Sequence, residues 1–344
     1  MGAPAPSATS GSDIAVDLRK VSKTFRQRQR SDRLGDIFRN LFHPVIREVP
    51  ALRDIDLQIA RGEIVAYAGP NGAGKSTTVK IASGMLTPDS GTVRVLGMDP
   101  VRQREHYMKR VGVVFGQRTE LWMDHTVAAS YEWKRVVWDI PRERFDRMTG
   151  YVREVLALGE FYNTLVRELS LGQRMRADLG MALLHEPEIL FLDEPSLGLD
   201  VLAKRSMLEF IRDLNRERQV TVMVTSHDMA ELEELAGRIV MIHRGEIAFD
   251  GDFARLRREF ADRRVLRIDT DSPSAPDLPG ATLVGSEGCR HEYAFDAAEA
   301  GIGDLLACAA VQTKLNDVET HRAPIDDIIA DIYIRWQKAH AGSV

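Results

Sequence analysis

The sequence predicts an α/β fold in which helices cover a parallel sheet, followed by a small α+β domain. Three continuous apolar runs, residues 64–68, 189–192 and 220–224, have the length and composition of strands buried on both faces. Helical stretches separate these runs, which is the alternation typical of a parallel sheet. The chain has 344 residues and is long enough for two domains, since about 150 residues per domain is the usual expectation.

The first fifty residues contain three kinds of segment. Residues 1–13 are rich in Ala, Pro, Ser and Gly and predict a disordered leader. Residues 14–18 alternate apolar and polar side chains, which predicts an edge strand. Residues 26–50 form an amphipathic insertion, because apolar side chains recur at helical spacing between Leu34 and Val45. Its helix either docks on its own domain, which we favour, or faces a partner or a membrane surface.

Residues 14–260 are predicted to form one ATPase-sized domain, with a helical subdomain at about 118–185. After residue 260 the pattern changes to short alternating strands, a helix near 302–311, and a last strand and helix. Residues 261–344 therefore predict a small α+β domain. It has no His/Asp/Glu cluster of catalytic quality, and its residues do not decide whether it regulates, dimerises or covers an edge.

Composition and charge exclude several classes of protein. Hydrophobic residues make up 44% and charged residues 28%, values typical of globular proteins rather than disordered or fibrous ones. The net charge of -5 argues against a nucleic-acid partner. No run approaches the ~20 apolar residues of a membrane-spanning helix, and the start lacks a secretory signal. We therefore expect a soluble, cytoplasmic chain.

A glycine-rich segment follows the first buried run and precedes a predicted helix. From Gly69 to Thr77 it fits G-x-x-x-x-G-K-[ST], a P-loop, in the strand-to-helix context that the motif requires. Its backbone N–H groups can cradle phosphates, Lys75 can reach the β- and γ-phosphates, and Ser76 can bind Mg²⁺. The expected ligand is a nucleoside triphosphate. The predicted binding residues are Gly69, Asn71, Gly72, Ala73, Gly74, Lys75, Ser76 and Thr77.

The other two buried runs end in polar residues. Asp193 and Glu194 end the run that begins at residue 189; the first carboxylate can hold magnesium and the second can polarise an attacking water. Such a pair alone is more often a helix cap or a solvated turn, but the P-loop in the same domain favours the functional interpretation. His227 follows the run 220–224 at the sheet edge where ligands bind, although alone it would be interpreted as a structural histidine.

A second anion site is predicted at residues 169–173, LSLGQ. Ser170 and Gly172 open an amphipathic segment and offer a hydroxyl, backbone N–H groups and the positive end of a helix dipole. With this segment the sequence resembles a known family. The P-loop, VVFGQ, LSLGQ, ILFLDEP, SLGLD and TSHD occur in the order found in the nucleotide-binding subunits of ABC transporters, and the resemblance covers about residues 14–260.

The resemblance implies ATP and Mg²⁺ as cofactors and roles for individual residues. Glu194 matches the catalytic base, and His227 matches the histidine that holds the γ-phosphate and water. Gln117 matches the glutamine that touches the magnesium and transmits nucleotide state to the membrane subunit. Asp193 matches the magnesium-site aspartate, and Phe25 matches the aromatic that stacks on adenine.

The resemblance also implies a pair of protomers. Ser170, Gly172 and Gln173 match the signature segment that closes over the γ-phosphate of the opposite protomer. Asp200 matches the loop that crosses the dimer interface, and Leu171 stands where the family usually has Gly. The chain has one P-loop and one signature, which meet only across a head-to-tail pair. A second copy of the chain, or a paralogous ATPase, is therefore expected.

Within the family, the sequence resembles the ATPases of type 2 exporters, which move drugs, antibiotics and polysaccharides outward. Residues 115–122, the segment LSLGQRMRADL and the tail at 323–329 are similar to such ATPases. This implies multi-span permease subunits as partners and a peripheral location on the inner face of the cell membrane. The insertion resembles one in polysaccharide and teichoic acid exporters. The alternatives are a soluble ABC ATPase acting on a macromolecular partner, and an importer ATPase.

Aromatic and basic residues lie where such ATPases receive a coupling helix of the membrane subunit. They are Trp122, Trp133, Trp138, Arg118 and Lys134. Aromatic residues near basic ones are common anchors of protein interfaces. Packing inside the helical subdomain is an equally good explanation for each tryptophan.

Overall fold

A computed structural model of the chain describes residues 13–28, 46–116, 118–260, 263–296 and 300–322, together with six helical residues between 325 and 336. Residues 1–12 of the predicted leader, residues 29–45 of the predicted insertion and Gln117 lie outside the described residues. The predicted bounds 26–50 of the insertion are too wide, because residues 26–28 and 46–50 belong to two paired strands. The described chain divides into two compact units. One comprises residues up to His227 together with Glu231–Asp250, and the other comprises Asp228–Ala230 and the residues from Gly251 onward.

A six-stranded sheet forms the centre of the first unit. Its strands are β3 (Ile64–Ala68), β5 (Val111–Phe115), β6 (Ile189–Asp193), β7 (Thr221–Thr225), β8 (Arg238–His243) and β9 (Glu246–Gly251). They lie in the order β5-β6-β7-β3-β8-β9, and the first five are parallel. Every residue of β6 and β7 is buried, as expected for strands covered on both faces. The predicted α/β fold is confirmed.

A second, three-stranded sheet packs in the same unit. It consists of β1 (Ile14–Arg28), β2 (Ile46–Ala60) and β4 (Ser90–Val95), all antiparallel, in the order β2-β1-β4. The prediction of an edge strand at residues 14–18 is therefore wrong, because β1 lies at the centre of this sheet. Ala15 and Val16, which are adjacent in sequence, are both buried, so β1 has no solvated face at this point.

Helices connect the strands of these two sheets. They are α1 (Lys75–Ala82), α2 (Arg104–Met108), α3 (Val127–Val137), α4 (Arg142–Val155), α5 (Leu171–Leu183), α6 (Val201–Arg218) and α7 (Met229–Leu235). Both sheets and α1 contribute side chains to one core. It contains Val16 of β1, Tyr67 of β3, Ile81 of α1 and Phe191 of β6. Complete burial of side chains of this size stabilises the fold by about 1.5–3 kcal/mol each. In the described part of the chain, no helix is both long and apolar enough to cross a bilayer.

The second unit is built on a four-stranded antiparallel sheet. Its elements are α8 (Phe253–Phe260), β10 (Arg263–Thr270), β11 (Ala281–Glu287), β12 (Arg290–Asp296), α9 (Ile302–Gln312) and β13 (Leu315–Arg322). The strand order is β11-β12-β10-β13. Leu266, Ile268, Tyr293 and Phe295 of the sheet share a small core with Leu305 of α9. This additional antiparallel sheet agrees with the α+β character expected for this region.

Candidate active site

The P-loop residues lie between the end of β3 and the first turn of α1. Lys75 is buried, and its Nζ donates hydrogen bonds to the carbonyl oxygens of Gly69 (2.6 Å) and Pro70 (3.3 Å). Burial lowers the pKa of the Lys75 ammonium, and the nearby carboxylates of Glu194 and Asp193 oppose this shift. The ammonium is thus held against the loop and within electrostatic reach of both acidic residues. The remaining predicted loop residues, Asn71, Gly72, Ala73, Gly74, Ser76 and Thr77, lie in the same turn and at the start of α1.

Asp193, the last residue of β6, joins the P-loop to two other strands. Its Oδ1 accepts hydrogen bonds from Ser76 Oγ (3.2 Å) and from Thr225 Oγ1 at the end of β7 (2.7 Å). Its backbone oxygen accepts a hydrogen bond from the N–H of Gly116 (2.8 Å). A Cβ on Gly116 would lie 2.2 Å from the carbonyl oxygen of Glu194, so the close approach of these two backbone segments requires glycine at position 116. The start of α1 and the end of β7 therefore meet at the Asp193 carboxylate, and Gly116, which follows β5, contacts the backbone of the same residue.

Glu194 follows directly and contacts the predicted histidine. Its Oε1 lies 2.7 Å from Nε2 of His227, just after β7. The backbone nitrogen of Glu194 lies 3.1 Å from both the carbonyl oxygen and Oγ1 of Thr225, to which its N–H can donate. The backbone of Glu194 is left-handed, with a φ of 56°. The side chain of Glu194 is 18% exposed and that of His227 is 46% exposed. A carboxylate held in this way at an open sheet edge can accept a proton from a water molecule, and the imidazole can orient that water.

The structure presents the LSLGQ segment as a helix start. Ser170 precedes α5, and its Oγ accepts a hydrogen bond from the N–H of Gln173 (3.2 Å). The Gln173 Oε1 accepts one in return from the N–H of Ser170 (2.9 Å), which completes a capping box. Gly172 lies in the first turn of α5. Within the described chain, no hydrogen bond of Ser170 or Gln173 reaches the P-loop of the same molecule.

Three other predicted residues have different outcomes. Asp200 precedes α6 and caps it, because its Oδ1 accepts a hydrogen bond from the N–H of Ala203 (2.8 Å). Phe25 lies on β1, is 38% exposed, and has Lys23 Nζ 6.0 Å from its ring centroid. Gln117 follows Gly116 directly but lies outside the described residues.

Two residues of the site were missed by sequence reasoning. Thr225 binds Asp193 through its hydroxyl and Glu194 through its backbone oxygen, and Gly116 allows the close approach of the neighbouring strand. Thr225 is the last residue of β7, and Gly116 directly follows β5, a strand that was not predicted from the sequence. A signal was present, since the carboxyl ends of neighbouring parallel strands meet at one edge. To predict these two contacts one must also know which strands are neighbours, and the sequence alone did not give that order.

The tryptophans divide into two groups. Trp122 and Trp133 stack on each other with ring centroids 4.9 Å apart, and both are exposed, at 44% and 45%. Trp138 instead packs against His185, and Lys134 Nζ lies 4.6 Å from its ring centroid. Lys134 is buried and therefore does not fit the predicted partner surface, whereas Trp138 is half-buried. Trp122 and Trp133 remain available for one.

Cavities lie at both ends of the parallel sheet. One of about 180 Å³ opens beside Ser76, Asp193 and Glu194 at the carboxyl ends of the strands. Two larger ones, of about 470 and 570 Å³, lie at the amino ends, beside Arg61 and beside Arg238. None of the predicted site residues lines either of these larger cavities. The predicted catalytic carboxylates thus line the 180 Å³ cavity.

Comparison with known proteins agrees with this geometry. A family model described as ABC transporter matches residues 52–197. The ABC transporter ATP-binding protein NatA of Bacillus subtilis is 34% identical over 203 residues, which cover 59% of this chain and 82% of NatA. ABC transporter A family member 7 of Dictyostelium discoideum is 29% identical over 288 residues, 83% of this chain, but the chain spans only 32% of that protein.

The fold is also found among solved structures. A dimeric ATP-binding cassette in a post-hydrolysis state, bound to ADP and Pi, superposes with a TM-score of 0.58 at 24% identity. The match covers 69% of this chain and 98% of the solved cassette. This likeness establishes a shared fold for the region that contains the P-loop and the acidic pair.

Proposed function

Because this chain belongs to the family of ABC transporter ATP-binding proteins, we propose that its P-loop edge binds and hydrolyses ATP to energise export through separate permease subunits. One observation carries the proposal. Ser76 of the P-loop is hydrogen-bonded to Asp193, and the neighbouring Glu194 contacts His227. This arrangement supports phosphate binding, metal binding and proton transfer at one sheet edge.

The proposed roles follow from the chemistry of each group. The backbone N–H groups of residues 69–77 and the ammonium of Lys75 bind the phosphates, since both are donors near the start of α1. Glu194 accepts the proton of the attacking water, and His227 holds the γ-phosphate and that water. Gln117 transmits nucleotide state to the permease, and Phe25 stacks on the adenine.

The donor set around Asp193 fits a magnesium ion. Ser76 Oγ and Asp193 Oδ1 lie 3.2 Å apart, and both are the hard oxygen donors that Mg²⁺ prefers. Among the described residues, no group of three or more His, Cys, Asp or Glu forms a closed metal cage. Mg²⁺ usually combines one or two protein ligands with water and substrate phosphates, which suits this open pair. With Gln117, these residues would hold the ion, which neutralises phosphate charge when bound.

A second protomer is proposed to complete the site. Ser170, Gly172 and Gln173 open a helix of 13 residues whose N-terminus can bind an anion, but their hydrogen bonds stay within their own segment. In a head-to-tail pair they would reach the γ-phosphate of the partner, and Asp200 would lie at the crossing. The partner is a second copy of this chain or a paralogous ATPase. The solved dimeric cassette shows that this fold can pair.

The exposed pair Trp122 and Trp133 is the proposed docking surface for the permease. Exposed aromatic pairs are strong anchors of protein interfaces; Trp133 lies on α3, and Trp122 precedes this helix. Such docking would place the chain peripherally on the inner face of the membrane. Outward transport rests on the likeness of residues 115–122 and of the tail to exporter ATPases.

The test is co-expression of the tagged chain with the multi-span proteins encoded beside it. We expect a stable complex in detergent, whose ATP hydrolysis stops when Lys75 is changed to Ala. Trp122→Ser with Trp133→Ser should abolish the complex but leave hydrolysis by the isolated chain intact. Val155→Ser, at another exposed apolar position, is the matched control. If the chain hydrolyses ATP but binds no multi-span protein, a soluble ATPase with a macromolecular partner replaces the transport proposal.

A further inference from the structure

A buried carboxylate behind the catalytic edge has no role in the proposed mechanism. Glu231 of α7 is 7% exposed. Its Oε2 accepts hydrogen bonds from Ser196 Oγ (2.6 Å) and Ser226 Oγ (3.0 Å), and its Oε1 lies 2.5 Å from Lys204 Nζ. A carboxylate is rarely buried to this extent unless it is paired and hydrogen-bonded, because leaving water is costly for a charge. This cluster is therefore a built feature of the fold.

Ser196, Ser226 and Lys204, which contact Glu231, come from three functional segments. Ser196 lies two residues after Glu194, and Ser226 immediately precedes His227. Lys204 lies in the first turn of α6, and its N–H donates a hydrogen bond to the backbone oxygen of Asp200 (2.9 Å). One carboxylate thus contacts the chain next to the base, next to the histidine and next to the interface loop.

The geometry points to Glu231 as a positioning residue that fixes the positions of Glu194, His227 and the Asp200 loop relative to one another. The 2.7 Å contact between Glu194 and His227 depends on where two separate strand ends place their side chains. Ser196 and Ser226 follow those two strand ends, and both bind the same oxygen of Glu231. Lys204 connects Glu231 to α6. Asp200, which caps this helix, is proposed to lie at the dimer interface. The inference rests on the proposed ATPase function and extends it.

Glu231→Gln is the informative variant, measured in the full-length chain. The amide retains an acceptor oxygen for the serines but loses the charge that pairs with Lys204. Since supporting residues around a site typically matter by about 10–100-fold, we expect kcat for ATP hydrolysis to fall about tenfold or more. Equilibrium ATP binding should change by less than about threefold, because no contact of Glu231 given above touches the P-loop. Glu234→Gln, on the same helix but exposed and paired with Arg212, is the control and should keep wild-type kcat.

A second variant keeps the test decisive if Glu231→Gln does not fold. Ser226→Ala removes one hydrogen bond without leaving a charge unpaired, and it should lower kcat by a few-fold with unchanged ATP affinity. Wild-type kcat in a folded Glu231→Gln protein, or in Ser226→Ala, would overturn the inference. A parallel loss of ATP binding and kcat would also overturn it, because it indicates general unfolding. Absence of hydrolysis by the wild-type chain would instead refute the proposed function itself.

Discussion

Leu171 Cδ2 lies 2.3 Å from the position that a Cβ on residue 198 would occupy, so Leu171 fills the space that Gly198 leaves open. Gly198 has a φ of +74°, which side chains rarely adopt. Leu171 stands where the resemblance described above implies a glycine. The departure is accommodated within the same protomer by contact with the loop that precedes Asp200.

This contact predicts non-additive effects of substitution. Gly198→Ala should destabilise the protein by about 1–3 kcal/mol, because the new methyl displaces Leu171 and the backbone is strained. Adding Leu171→Gly should remove the clash between the new methyl and Leu171 and recover that part of the stability. The strain from the positive φ at residue 198 should remain. The measurement is the thermal midpoint of the two single variants and the double variant. Strictly additive shifts would show that the two residues do not interact.

Loss of the P-loop ammonium should abolish turnover. Lys75 is the buried cation held against the Gly69 carbonyl, and Lys75→Ala removes the charge that would neutralise the phosphates. We expect kcat to fall by at least about a hundredfold, with strongly weakened nucleotide binding. Isothermal titration and a steady-state ATPase assay measure the two effects. Lys109→Ala, which removes an exposed lysine of the same unit, should behave as wild type, and unchanged turnover in Lys75→Ala would refute the assignment.

Removal of the proposed base should separate binding from hydrolysis. Glu194→Gln is nearly isosteric and leaves the P-loop intact, so ATP should still bind. Hydrolysis should fall by about 10²–10⁴, the usual contribution of a general base. Because ATP is then not consumed, the closed pair should accumulate and be detected by light scattering. A monomer with ATP bound and normal hydrolysis would contradict both the base and the composite site.

Much of the active edge could be predicted from sequence because its residues are adjacent to recognisable strands. The P-loop, Asp193–Glu194 and His227 each follow a buried apolar run, and parallel strands bring such ends together. Thr225, Gly116 and Glu231 could not be predicted in the same way. Their roles depend on which strands are neighbours and on side-chain packing between segments tens of residues apart.

The position of β1 in its sheet also could not be predicted from local sequence. Local alternation at residues 14–18 indicates a strand with one solvated face, but β2 and β4 flank it on both sides. β2 begins at Ile46, within residues 26–50 that were predicted to form the insertion, and its pairing with β1 is a long-range contact that local periodicity does not contain. Trp138 is a similar case, since its packing against His185 depends on α5 and its following turn.

The last prediction concerns the pH dependence of stability. Asp178 of α5 is buried, and burial raises its pKa from 3.8 to about 6, although hydrogen bonds from Thr119 Oγ1 (2.8 Å) and the N–H of Glu120 (3.0 Å) oppose the shift. In the unfolded chain the carboxyl titrates near 3.9. Between these values the folded state holds a proton that the unfolded state lacks, so the free energy of unfolding falls as pH rises.

Asp178→Asn should therefore stabilise the protein, and more strongly at higher pH. The amide oxygen can still accept from Thr119 and Glu120, but no charge is buried. The advantage of the variant should grow from about 1–2 kcal/mol near pH 5 to about 3 kcal/mol near pH 7.5, and then level off. Thermal midpoints of wild type and variant across this range measure the difference. A gap that stays constant with pH would show that Asp178 does not titrate in this window, and a variant less stable than wild type at the upper end would show that the charge itself is required.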